Sequence, residues 1–186
     1  ITYDGFIEII KKYPVDCRKV WSVFIENSVK EKSELNALGL TKLLNQYPLN
    51  RRDYLWTMVV NEFDESNRMI SLAYYIEAGN MLEGLSEHKA YLLLMTYAWM
   101  LSSSNRSLRD RVSKAMIEIL KEHFSVCILL LKLFKDVNDP YIIQRLYGIV
   151  FGAVMRRKKE NKSEFGDLAE WVYKEIFDKE IVYPDI

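Results

Sequence analysis

Apolar residues recur at intervals of three and four positions along almost the whole chain, which is the spacing of amphipathic α-helices. The clearest example extends from about Leu108 to Phe124 and carries charged residues opposite its apolar stripe. That stripe consists of Leu108, Val112, Ala115, Met116, Ile119 and Leu120. No segment alternates apolar and polar residues with the period of two that a half-buried strand requires. The pattern predicts an all-α fold.

Capping residues and prolines predict where helices begin. Asp139 and Pro140 start a helix that continues to about Arg156, because Asp caps a first-turn amide and Pro is favoured at the first helical position. This helix is apolar nearly all round, so we expect it to be buried on several sides. Ser107 is the predicted N-cap of the helix before it. The other predicted helices cover about 3–12, 16–29, 34–46, 50–63, 67–78, 87–101, 126–137 and 164–177.

Similar segments recur at an interval of about 34 residues, which is the length of one helical hairpin in repeat proteins. Residues 13–18 and 47–52 both contain Tyr-Pro followed by a capping residue. Arg111-Val112 and Arg145-Leu146 are separated by the same number of positions. We call this spacing of 34 residues the hairpin interval. A single hairpin buries its apolar face only by stacking on another. With short connections, this predicts antiparallel helical hairpins stacked as an irregular HEAT-like α-α superhelix over residues 1–186. A compact bundle is the alternative.

The composition narrows the classes of partner. The chain has 186 residues, 49% of them hydrophobic, and its 26 Lys and Arg residues balance 26 Asp and Glu residues. Such apolar content excludes disorder, and the zero net charge argues against nucleic acid as the main partner. The uncharged stretch 90–105 is too short to span a membrane. Two cysteines, Cys17 and Cys127, predict buried free thiols in a reducing cytoplasm.

No recognised catalytic motif appears in the sequence. There is no phosphate-binding loop, GxGxxG, HExxH, CxxC or GxSxG, so we expect no catalytic, cofactor-binding or metal-binding residue and no enzyme activity in this segment. His88 and His123 are expected to be structural or solvent-exposed. Glu62, Asp64 and Glu65 are the remaining chemical candidates, because clustered carboxylates can raise one another's pKa.

Basic residues are the predicted partner contacts. Arg156, Arg157, Lys158 and Lys159 form a run at the end of the helix that begins at Asp139. A polar loop over 102–106 adds Arg106, and Arg109 follows it at the start of the next predicted helix. The helix that begins at Asp139 also contains Gly148 and Gly152, and their spacing predicts a close approach of another backbone. Four tryptophans on four helices are expected to form core layers: Trp21, Trp56, Trp99 and Trp171.

One stretch resembles a known family. Residues 137–156 read Val-Asn-Asp-Pro-Tyr-Ile-Ile-Gln-Arg-Leu-Tyr-Gly-Ile-Val-Phe-Gly-Ala-Val-Met-Arg. They resemble a segment in the helical C-terminal region of large bacterial P-loop ATPases of the STAND type, including the Avs antiphage defence proteins. There a run of the form NDPY…RLY…YGA opens a helix of a superhelical sensor array. The closing Tyr183-Pro184-Asp185-Ile186 is similar to the lead into the next helix of that array.

The resemblance implies a division of labour within a longer chain. The ATP-binding module and any effector nuclease would lie elsewhere, and the helical array would recognise a foreign protein, such as one from a phage. No family catalytic residue falls in the matched stretch. The leading hypothesis is a non-catalytic, cytoplasmic helical-repeat sensor segment of a larger bacterial ATPase. A freestanding helical adaptor or homo-oligomerisation domain is the first alternative, and an all-α hydrolase that uses the carboxylates at 62–65 is the second.

Overall fold

The structure is a computed structural model that describes residues 1–13, 16–80 and 83–178. Within these ranges the chain is all-helical and contains no strand, so the predicted fold class is confirmed. The helices are α1 (Tyr3–Lys12), α2 (Cys17–Asn27), α3 (Ala37–Leu44), α4 (49–60), α5 (Arg68–Glu77), α6 (Glu87–Met100), α7 (Arg106–Glu122), α8 (Val126–Phe134), α9 (Pro140–Arg156) and α10 (Lys162–Val172).

Two helices contain wider turns that the spacing does not predict. Within α4, a π-helical turn at Asp53–Thr57 separates two stretches of ordinary helix, Leu49–Arg52 and Met58–Val60. After α10, a second π-helical turn occupies Tyr173–Phe177. The closing Tyr-Pro segment at 183–184 and Pro14 of the first Tyr-Pro pair lie outside the described residues.

The caps show why the helices begin where they do. Asp139 accepts the backbone N–H of Ile142 at 3.2 Å, which confirms its role as the N-cap of α9. The prediction that Ser107 caps α7 is wrong. The cap is Asn105, whose side chain accepts the N–H of Leu108 at 3.2 Å, and Ser107 lies inside the first turn. Asn and Ser are comparable as caps, so sequence preference alone does not choose between them.

The later helices pack in two layers. In one layer α5 lies against α7, and α7 lies against α9. In the other, α3 lies against α6, α6 against α8, and α8 against α10. Helix α6 also contacts α7 and α9, and its residues 92–100 are all buried. From α5 onward, each layer therefore consists of alternate helices of the chain.

Helices α7 and α9 correspond position by position. Both have 17 residues, their first residues are separated by the hairpin interval, and so are their N-caps, Asn105 and Asp139. Five positions are buried in both helices at this spacing. In α7 they are Leu108, Val112, Ala115, Met116 and Ile119, and in α9 they are Ile142, Leu146, Ile149, Val150 and Ala153.

Three of the four tryptophans form the centre of the core. Trp21, Trp56 and Trp99 are buried, and the rings of Trp21 and Trp56 meet edge to face with centroids 5.5 Å apart. The indole of Trp56 donates to the carbonyl oxygen of Trp99 at 2.9 Å. Trp171 is only half-buried, because α10 lies at the edge of its layer. The expected core layers are therefore present, with Trp171 at their margin.

The outer face of α9 differs from its prediction. Burial on several sides was expected, yet Phe151 is 65% exposed and Met155 is 68% exposed. Helix α9 contacts α6, α7 and α8, and no described helix covers its remaining side. None of the described helices is long and apolar enough to cross a membrane. Cys127 is a buried free thiol, and the side chain of Cys17 lies outside the described part of the structure.

The two glycines of α9 have different surroundings, which corrects the expectation that both admit a neighbouring backbone. A Cβ atom on Gly152 would lie 2.8 Å from Cδ1 of Ile117, so the close neighbour is a side chain of α7. A Cβ atom on Gly148 would meet nothing within 4 Å. Of the two glycines of α9, only Gly152 is required by the packing of its neighbours.

Substitution of these glycines should have opposite effects on stability. Gly152→Leu is expected to lower the free energy of unfolding by about 1–3 kcal/mol or more, because the new side chain displaces Ile117. Gly148→Ala is expected to raise it by about 0.5–1 kcal/mol through helix propensity. Urea unfolding followed by circular dichroism measures both. Equal stability of the two variants would contradict the packing role of Gly152.

Candidate partner-contact surface

The predicted contact residues lie at opposite ends of two parallel helices. Helices α7 and α9 run side by side, since Asp110 faces Arg145 near their N-termini and Glu118 faces Arg156 near their C-termini. A helix of 17 residues is about 25 Å long. Arg106 and Arg109, in the first turn of α7, and the basic run at 156–159 therefore form two separate candidate surfaces.

The run at the end of α9 is partly neutralised within the fold. Nη1 of Arg156 lies 2.9 Å from Oε1 of Glu118, and Lys158 pairs with Glu122, so both cations cross to α7. The hydrogen bond from Lys121 is the main reason that the pKa of Glu118 lies below its usual value, and Arg156 adds to this effect. These two basic residues therefore stabilise the contact between helices before any partner arrives.

The rest of the basic run surrounds a shallow depression. Arg157 donates from Nη1 to the carbonyl oxygen of Val154 at 2.8 Å, and its guanidinium lies 4.1 Å from the centroid of the Phe165 ring. Lys159 and Lys162 are exposed and have no ion-pair partner among the described residues. The depression has a volume of about 440 Å³, and its lining is Arg157, Lys158, Lys159, Lys162 and Phe165.

We call these five lining residues the basic depression. Arg157, Lys158 and Lys159 lie in the connection that follows α9, where the backbone leaves the helix at Arg157 with an extended conformation, and Lys162 begins α10. Cations at a helix C-terminus also complement the helix dipole. The exposed lysines and the aromatic ring together suit a partner surface that carries carboxylates and an apolar group. Phe165 was not among the predicted contacts, because it belongs to the next helix.

Arg106 and Arg109 differ in how accessible their side chains are to a partner. Arg109 donates from Nη1 to the carbonyl oxygen of Ser103 at 2.6 Å, and its guanidinium lies 5.4 Å from the Tyr141 ring centroid. This half-buried side chain holds the loop against α9. Arg106 is exposed and pairs with Asp110, one turn along the same helix, at 3.4 Å. Of the two, Arg106 is the side chain that a partner can reach.

Each carboxylate of the acidic cluster is engaged by a neighbouring side chain. Glu62 lies 2.9 Å from Arg18, and Glu65 accepts a hydrogen bond from the Tyr74 hydroxyl at 3.0 Å. Asp64 accepts from both the hydroxyl and the backbone N–H of Ser66, and these bonds lower its pKa. An upward pKa shift was the basis of the hydrolase alternative, and the pKa of Asp64 moves in the opposite direction.

No group of three or more His, Cys, Asp or Glu side chains suited to a metal ion occurs in the described ranges. His88 is exposed in the first turn of α6, and His123 is the C-cap residue of α7. Both histidines therefore lie at helix ends.

A buried ion pair is the feature that the sequence did not predict. Arg52 is 1% exposed, and its Nη2 atom lies 2.6 Å from the carbonyl oxygen of Asn138 and 3.4 Å from Oδ2 of Asp139. Its guanidinium also lies 5.2 Å from the ring centroid of Trp99. Burial raises the pKa of Asp139 despite this partner. The pair joins α4 to the start of α9, 87 residues away.

No protein-family model matches the chain, and no curated protein or solved structure matches it either. Function must therefore be argued from the fold, from the surface and from residues 137–156.

Proposed function

We propose that this chain is a helical-repeat interaction segment of a larger bacterial ATPase, and that it recognises a protein partner. The observation that carries the proposal is the correspondence of α7 and α9, which share length, cap position and five buried positions at the hairpin interval. Helices that recur in this way can be added along a stack, and stacked hairpins present extended surfaces to partners. The resemblance of residues 137–156 to STAND ATPases supplies the larger context.

The basic depression is the proposed partner-contact surface. Lys159 and Lys162 have no ion pair with any described residue, whereas Arg156 and Lys158 are held by carboxylates of α7. A partner with an acidic, partly apolar surface would place carboxylates near the two unpaired lysines and an apolar group on Phe165. Exposed ion pairs give small energies, so their main contributions are to specificity and association rate.

Partner binding would act on the parent ATPase by shifting its conformational equilibrium. A ligand shifts such an equilibrium only by its difference in affinity for the two states. The segment would therefore hold the partner more tightly in the active arrangement of the parent. This mechanism requires no catalytic group in the segment itself.

The freestanding adaptor remains the second candidate, and one observation favours it. Phe151 and Met155 are largely exposed on α9, and contiguous apolar surface of this kind commonly marks an interface. An adaptor of this size would use that surface for self-association.

The first test is the intact mass of the native gene product, followed by its ATPase activity. A product much larger than this 22.0 kDa chain, with a GxxxxGK[ST] sequence, supports the proposal. Clarified extract of phage-infected host cells should then raise its ATP hydrolysis rate about fivefold or more, which needs about 1 kcal/mol of coupling. Extract of uninfected cells is the control. A native product with the mass of this chain alone would refute the ATPase segment.

Charge reversal tests the contact surface in the same assay. The double variant Lys159→Glu/Lys162→Glu is expected to need at least tenfold more infected-cell extract for half-maximal stimulation, because carboxylates of the partner are then repelled. The matched control is Lys32→Glu/Lys132→Glu, which reverses two other exposed lysines. An equal response of both double variants would place the contact elsewhere.

A further inference from the structure

The contact between α7 and α9 shows how neighbouring helices of this layer pack against each other. Ile117 of α7 points into the space left by Gly152 of α9, where an added Cβ atom would lie 2.8 Å from it. Ion pairs flank this contact on both sides, Asp110 with Arg145 and Glu118 with Arg156. Ile117 is half-buried as a result.

At two of the corresponding positions, α9 carries apolar side chains that no described helix covers. At the hairpin interval, Ile117 corresponds to Phe151, which is 65% exposed. Lys121 corresponds to Met155, which is 68% exposed. The carboxylates Asp110 and Glu118 correspond to Gln144 and Gly152, so α9 lacks the flanking charges of the first contact. This side of α9 therefore suits an apolar contact.

The other layer ends in the same way. Helix α10 is the last described helix of its layer, and Lys135 of α8 lies 3.9 Å from Glu175 in the π-helical turn after it. On the open side of that turn, Tyr173 is 61% exposed and Phe177 is 72% exposed. Their rings stack with centroids 6.0 Å apart.

We propose that a further helical hairpin, following α10 in the same polypeptide, packs on Phe151, Met155, Tyr173 and Phe177. These four residues form the edge face. The inference rests on the proposed function, because it requires a longer chain. In this assignment the edge face contacts the next hairpin of the same polypeptide and not the foreign partner. The argument is continuity with the contact between α7 and α9, in which the earlier helix presents Ile117 to the later one.

The correspondence also describes the occupant. The first helix of the hairpin would lie parallel to α9 and carry a small residue opposite Phe151, as Gly152 lies opposite Ile117. Its contact stripe would be apolar, since Gln144 and Gly152 offer no carboxylate to a basic partner. The second helix would cover the rings of Tyr173 and Phe177.

Thiol labelling of the native full-length product tests this assignment. A single cysteine is introduced as Phe151→Cys or, as the control, as Tyr54→Cys, which replaces a side chain that is 68% exposed on α4. Cys17→Ser removes one native thiol. Cys127 is buried, and burial raises its pKa to about 12, so it stays unreactive near neutral pH. Any cysteine elsewhere in the full-length product is replaced by serine.

In the full-length product, the Phe151→Cys variant is expected to react with a maleimide at least tenfold more slowly than the Tyr54→Cys variant. In the isolated chain of residues 1–186, the two variants should react at similar rates, because their exposures match. Phe177→Cys provides a second measurement on the edge face. Similar rates for both variants in the full-length product would overturn the proposal.

Sedimentation of the isolated chain distinguishes a second copy as the occupant. A dimer at micromolar concentration that Phe151→Glu dissociates would assign the edge face to self-association and overturn the proposal. A monomer agrees with it. Failure of the proposed function gives a different result. If the parent ATPase does not respond to extract while the Phe151→Cys variant stays protected, the partner proposal is wrong and the hairpin proposal still holds.

Discussion

Replacement of Arg52 by methionine is expected to lower the free energy of unfolding by about 3–5 kcal/mol at neutral pH, because it leaves a buried carboxylate without its partner. Arg52 supplies the hydrogen bond to the Asn138 carbonyl and the charge beside Asp139. Methionine retains most of the side-chain volume, so the measured loss reports the charge and not a cavity. Urea unfolding with an unchanged m value gives the difference.

Arg51→Met is the matched control. It is the same substitution one residue earlier, where the side chain is exposed. Its expected effect is within about 0.5 kcal/mol, as for most surface positions. A loss for Arg52→Met below about 1 kcal/mol would mean that the ion pair with Asp139 does not stabilise the fold.

The deficit of Arg52→Met should also depend on pH. The pKa of Asp139 is already raised by burial, and loss of the cation raises it further in the folded variant. A group whose pKa is higher in the folded state favours folding when it is protonated, and this contribution is lost as the pH rises through the folded pKa. The deficit should therefore be largest at neutral pH and shrink as the pH falls towards about 4. A deficit that is constant over this range would contradict the assignment.

The helical architecture was predictable because its determinants are local. The stripe of α7 and the Asp139-Pro140 start of α9 depend on residues within a few positions of one another, and both were confirmed. In these two helices the hairpin interval was visible in a single pair of dipeptides, Arg111-Val112 and Arg145-Leu146. The structure extends it to five buried positions in each helix.

Apart from the cap of α7, the differences arose where the neighbour is distant in sequence. Spacing identifies the apolar side of a helix but not which side receives another helix, so Phe151 was expected to be buried, and it is 65% exposed. Arg51 and Arg52 are adjacent and alike, and Arg52 is buried among residues distant in sequence, Trp99, Asn138 and Asp139. Arg109, a predicted contact, is also held by the Ser103 carbonyl and lies near the Tyr141 ring, 32 residues further along the chain.

Truncation of Trp99 is expected to lower the free energy of unfolding by about 3–5 kcal/mol as Trp99→Ala, since it creates a large cavity in the core. Trp99 is fully buried, its indole donates to the Thr41 hydroxyl at 2.9 Å, and its ring lies 5.1 Å from that of Phe134. If this variant does not fold, Trp99→Phe keeps most of the volume and should still lose about 1–3 kcal/mol. Trp171→Ala, at a half-buried ring, should lose less.

A double-mutant cycle then tests whether Trp99 and Arg52 stabilise the fold together. The guanidinium of Arg52 lies over the Trp99 ring while it bonds to the start of α9, so the two side chains share one environment. Contacting residues commonly show coupling of about 0.5–3 kcal/mol, whereas distant residues are additive. Arg52→Met combined with Trp99→Phe should therefore cost less than the sum of the single changes. Additivity within about 0.3 kcal/mol, as for distant residues, would show that the ion pair and the tryptophan act independently. The contact of the guanidinium with the Trp99 ring would then add nothing to the bonds that Arg52 makes with Asn138 and Asp139.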